Sequence, residues 1–134
     1  MNSKKFFLSW LAVYIVIFIF DMIFHGKILG HLYEQTAELW RPKDQMNQFM
    51  PWLTGGTILW SGVFSYLFLT GYKDRGLSAG IRYGALIGLL FAAHNAVMYA
   101  VQPLPLVLVN SWTIGNIAEY GLGGAVLGLV NKSS

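Results

Sequence analysis

GLSAGIRYGALIGLLFAAHNAVMYAV, residues 76–101, decides the fold. Gly76, Gly80, Gly84, Gly88, Ala92, Ala96 and Ala100 recur along it at every fourth position. A four-residue repeat returns to one face of an α-helix, so this segment carries a stripe almost bare of side chains. In lipid no hydrophobic effect draws helices together, and close backbone approach must do so instead. The stripe therefore reads as a helix-packing surface centred on Gly80, Gly84, Gly88, Ala92 and Ala96. Its alternatives are the lining of a permeation path or a contact between two copies.

The next segment, Leu106–Val130, carries a shorter version in Gly121, Gly124, Ala125 and Gly128. Only QPLP separates the two, which predicts a tight hairpin of segments three and four. Toward the N-terminus, FFLSWLAVYIVIFIFDMIFH (residues 6–25) forms segment one, and Pro51–Thr70 forms segment two. Twenty helical residues at about 1.5 Å each match a hydrocarbon core of roughly 30 Å. Segment one follows Lys4 and Lys5 as a signal peptide would. Its apolar run is too long, however, and no small-x-small cleavage site follows, so it reads as a retained span. Pro51 is expected in the first turn of segment two, where its missing N–H costs nothing. Between the first two spans, residues 28–41 place Ile28, Leu29, Leu32, Tyr33, Leu39 and Trp40 on one face. That pattern predicts an amphipathic helix at the membrane interface. The expectation is an all-α, four-helix transmembrane bundle, a single domain over residues 1–134.

Composition agrees. Hydrophobic residues make up 55% of the chain and charged residues 11%, against roughly 25% charged in a soluble domain. So few charges cannot cover a surface facing water. The net charge of +3 comes from basic residues placed between apolar segments, not from a basic patch interleaved with aromatics, so nucleic-acid binding is rejected. With the N-terminus inside, Lys4, Lys5, Lys73, Arg75, Arg82 and Lys132 fall on the cytoplasmic side, and Lys27, Arg41 and Lys43 outside. This bias predicts a multi-pass protein of the cytoplasmic (inner) membrane with both termini cytoplasmic. The chain has no cysteine, which excludes disulfides and thiolate sites.

Charged and strongly polar groups inside spans are costly, and they mark the candidate site. Asp21 and His25 are one helical turn apart in segment one. His94 and Asn95 lie toward the outer end of segment three, and Asn110 toward the outer end of segment four. Asn116 and Glu119 lie deeper. Asp21, His25, His94, Asn95, Asn116 and Glu119 are the candidate ligand- or proton-binding residues. Asp21, His25 and His94 would supply three metal ligands, with Glu119 or His31 as a fourth, but no HExxH or ExxH motif supports the set. The structural alternative makes Asp21–His25 an interfacial pair, His94 a core histidine, and Glu119 either protonated or a partner of Arg82. No cofactor is identified. No serine stands in a GxSxG context, and Gly55-Gly56 is no nucleotide loop. A membrane enzyme using a histidine base therefore ranks last.

Five motifs occur in order: DxxxHG at Asp21–Gly26, AELWRP at Ala37–Pro42, MPW at Met50–Trp52, GxRYGxxxG at Gly80–Gly88 and PLP at Pro103–Pro105. In this order the chain resembles a group of uncharacterised small bacterial four-span integral membrane proteins. The resemblance covers nearly the whole length and implies fold and location, with no activity to carry over. Two functions stand from the sequence. One is binding or conduction of a small polar solute, ion or proton through an outer-leaflet polar layer, as a homo-oligomer. The other is an accessory or assembly subunit of a larger membrane complex.

Overall fold

The computed structural model describes residues 1–73 and 75–132, so Asp74 of the GYKDRG connector lies outside the described residues. Among these the chain is helical and has no strand. Five α-helices follow in order: α1 (Ser3–Ile23), α2 (Gly30–Gln35), α3 (Met46–Gly71), α4 (Leu77–Val101) and α5 (Leu106–Val130). A π-turn at Phe24–Ile28 continues α1. Asn2 caps α1 by accepting a hydrogen bond from the Lys4 N–H, 2.9 Å.

The α4–α5 hairpin is the closest contact in the molecule, and its glycines explain why. A Cβ at Gly80 would strike the Gly124 carbonyl, and one at Gly84 would strike the Tyr120 carbonyl. At Gly88 it would lie 2.8 Å from the Asn116 carbonyl oxygen. Backbone meets backbone here, so any side chain forces the helices apart. Gly80, Gly84, Gly88 and Ala92 are buried in this contact. Ala96 is exposed, so the stripe outlasts the contact it makes. Because the stripe is used within the chain, an accessory subunit could not dock through these glycines.

A second face of α5, carrying Gly115, Glu119, Gly123 and Leu127, meets α1. The helices run antiparallel. Ser9 accepts a hydrogen bond from Asn131 Nδ2 at 2.8 Å, and Gly123 lies under Ile17. Further along, Gly115 leaves a slot for the Phe24 ring. On α1 the facing stripe is Ser9, Val13, Ile17 and Asp21, each one turn beyond the last. Helix α3 closes the bundle on the other side of α1. Trp10 Nε1 donates to the Ile58 carbonyl at 2.8 Å, and its ring fills the space over Gly62. Phe64, Phe68, Tyr83 and Tyr120 form the aromatic core, and the Tyr83 hydroxyl donates to the Phe64 carbonyl at 2.7 Å.

Three stretches are long and apolar enough to cross a membrane: Ser3–Ile28, Ala37–Gly71 and Leu77–Val101. Their outward faces are apolar, with Leu90 65% exposed. The sequence expectation was four. Helix α5 equals α4 in length at 25 residues but carries Asn110, Asn116 and Glu119 within it. It is also the most enclosed helix, so neighbouring helices cover much of what lipid would otherwise touch.

Two local expectations are corrected. Pro51 is the sixth residue of α3 and lies inside the helix. The polar MNQFM stretch starts the helix a turn early, leaving the Asn47 carbonyl without its usual i+4 N–H. The interfacial stretch 28–41 is not one helix. It divides into the end of the π-turn, the six-residue α2 and a 3₁₀ turn at Ala37–Leu39. The Thr36 hydroxyl donates to the Leu32 carbonyl at 2.8 Å, and the backbone unwinds at that point.

Candidate functional site

The α1–α5 register brings Asp21 and Glu119 to one level. The two carboxyl groups face each other there, with Glu119 buried at 5% exposed. An ionised carboxylate only accepts, so a hydrogen bond between these two groups would need a proton shared between them. Asp21 is the next position after Ile17 on the core stripe of α1. It therefore points inward although it lies in an apolar helix.

His25 continues the chain outward. Its Nε2 lies 3.7 Å from Asp21 Oδ1, and the two side chains are 40% and 37% exposed. That separation exceeds a direct hydrogen bond by about half an ångström. His25 sits in the π-turn, a helical irregularity that recurs at functional sites. The wide turn carries the chain back toward the bundle, so that Tyr33 of α2 comes under His25. The Tyr33 hydroxyl is 2.7 Å from His25 Nδ1 and accepts from Trp112 Nε1 at 2.8 Å. Burial pushes the Tyr33 phenol above its ordinary value; the Trp112 hydrogen bond opposes this and the nearby Asp21 charge adds to it. Tyr33 is accordingly neutral and can donate to His25.

An aromatic rim holds this end. Trp40 stands edge-on to Tyr33 and to Trp112, with ring centroids 5.6 and 6.0 Å apart, and its indole N–H donates to Thr36 Oγ1 at 2.9 Å. Glu119, Asp21, His25, Tyr33 and Trp112 thus form one polar line from the buried face of α5 to the α2 rim. Inward of Glu119 the line stops at Val13, Ile17, Phe68 and Leu127, all fully buried.

Of the residues expected from sequence, the structure joins Asp21, His25 and Glu119 and leaves the others apart. His94 is exposed on α4, so Asp21, His25 and His94 do not gather as metal ligands. Among the described residues no three His, Asp or Glu side chains form a group able to hold a metal ion. Asn95 is half-buried, and its Nδ2 has no hydrogen-bond partner among the described residues. Asn116 acts through its carbonyl, against which Gly88 packs. Glu119 pairs with Asp21 and not with Arg82, which is exposed. Tyr33 and Trp112 were missed as site residues. Tyr33 follows His25 by eight positions, a faint cue, and Trp112 joins only through the tertiary fold. Compared with protein-family models, with curated proteins and with solved structures, the chain matches none of them.

Proposed function

We propose that this chain is a four-crossing protein of the bacterial inner membrane that binds a proton between Asp21 and Glu119, taken from the outer side. Helix α5 is the fourth crossing in this reading. Its length supports that, as does the burial of Glu119 within the bundle. The basic-residue bias supports cytoplasmic termini.

The observation that carries the proposal is the carboxyl–carboxyl contact at the buried end of a polar line whose other end is the rim. A carboxylate charge inside a span costs several kcal/mol, roughly 2.5–3.5 on insertion scales. A shared proton removes one of two such charges. The sealed inner half means that one copy holds a proton and does not pass it across. Full passage would need a path formed between copies of a homo-oligomer.

Infrared difference spectroscopy of the protein in bilayers tests this across a pH step. The wild type should show a protonated-carboxyl band that disappears in Glu119→Gln and shifts in Asp21→Asn. Identical spectra for the wild type and Glu119→Gln would end the proposal.

A further inference from the structure

We infer that Trp112 is a positioning residue for His25: acting through Tyr33, it fixes the neutral imidazole as the Nε2–H tautomer, with that proton aimed at Asp21. The indole Nε1–H of Trp112 can only donate, and it donates to the Tyr33 oxygen at 2.8 Å. The same oxygen lies 2.7 Å from His25 Nδ1. If Nδ1 also carried a hydrogen, the Tyr33 oxygen would face two donors. Its own hydrogen would then be left with no partner among the described residues. The arrangement that satisfies every group has Tyr33 donating to Nδ1, which leaves the imidazole proton on Nε2. The Nε2 atom is the one facing Asp21 Oδ1, 3.7 Å away.

The consequence rests on the proton-binding reading. A proton passed from the Tyr33 hydroxyl to Nδ1 releases the Nε2 proton to the Asp21 carboxylate once the two close from 3.7 Å to hydrogen-bond distance, and a proton from rim water restores Tyr33. The ring gains one proton and loses one, so no charge stays on it. With the opposite tautomer Nδ1 would already be filled, and the inward hop would be blocked at its first step. Trp112 bonds the Tyr33 oxygen and itself neither gives nor takes a proton in this transfer. Its place is kept by the edge-on Trp40 ring, itself tied to Thr36.

Nitrogen NMR of the ¹⁵N-histidine-labelled chain tests the inference, with His31→Gln and His94→Gln introduced so that His25 alone reports. At about pH 8.5, well above the ordinary imidazole value, Nε2 should resonate as protonated and Nδ1 as unprotonated. In Trp112→Phe, which keeps the ring and removes the N–H, the two resonances should move toward each other. Tyr33→Phe should do the same, and it serves as the test if Trp112→Phe does not fold. An Nδ1–H imidazole in the parent chain would overturn the inference, as would unchanged resonances in the folded variant. The carboxyl band and the imidazole nitrogens are separate signals, so failure of the proton-binding reading and failure of this one are told apart.

Discussion

Between Ser9 and Ile17, the contact of α1 with α5 is closed by Val13, Ile17 and Leu127, each with no exposed surface. One turn further along the same stripe it holds Asp21 against Glu119. The helices, their antiparallel register and the four-residue spacing are common to both halves; only the side chains change. The Ser9–Ile17 half is a packing surface, ended by the Asn131–Ser9 hydrogen bond. The Asp21 half places polar groups where packing alone would place Leu or Val. A rigid frame is what permits this. The α4–α5 glycine contact fixes α5, and α5 then presents Glu119 at a set height.

The comparison is broken most severely at the frame. Gly84→Leu places a side chain into the Tyr120 carbonyl, and backbone cannot move aside as a flexible side chain can. The expected loss is about 3 kcal/mol or more, read as a fall in the denaturant midpoint of the protein in detergent micelles. Glu119→Gln sharpens the contrast, because it should remove proton binding while changing stability by no more than about 1 kcal/mol. A large stability loss with unaltered proton uptake would reverse the roles given to the two halves. Tyr83→Phe removes the hydroxyl bonded to the Phe64 carbonyl and should cost about 1 kcal/mol, again from the unfolding midpoint, with the outer line unaffected. The smallest effect is expected at His94. His94→Ala should shift stability by less than about 0.5 kcal/mol and leave the infrared carboxyl band in place. Loss of that band would return His94 to the site.

Much of the frame was legible in the sequence. The spacing of Gly76 through Ala92 named the α4 packing face, and the bounds of α4 and α5 agree with the apolar runs. The start of α3 was less legible. Proline is an ordinary first-turn residue, and nothing local shows that MNQFM would wind ahead of it. Of the site, Asp21 and His25 were visible as an i,i+4 pair in an apolar helix. The partner of Glu119 was not, because the height at which α1 meets α5 depends on the contact of two stripes far apart in the chain. His94 looked equivalent to His25 in composition and depth. Which way it faces is set by the α4 stripe: the glycine face turns toward α5, and His94, two positions after the buried Ala92, falls on another side.

In the proposed reading, a membrane-spanning bundle is open to one side at His25 and sealed at Leu127. The natural chain has no cysteine, so single cysteines can report without background. A membrane-impermeant thiol reagent would be applied to intact cells and then to inside-out vesicles, using Asn2→Cys, His25→Cys, Leu127→Cys and Lys132→Cys. Labelling of His25→Cys from outside only, of Asn2→Cys and Lys132→Cys from inside only, and of Leu127→Cys from neither side is the predicted result. Labelling of Asn2→Cys and Lys132→Cys from opposite sides, or of Leu127→Cys from either, would contradict it.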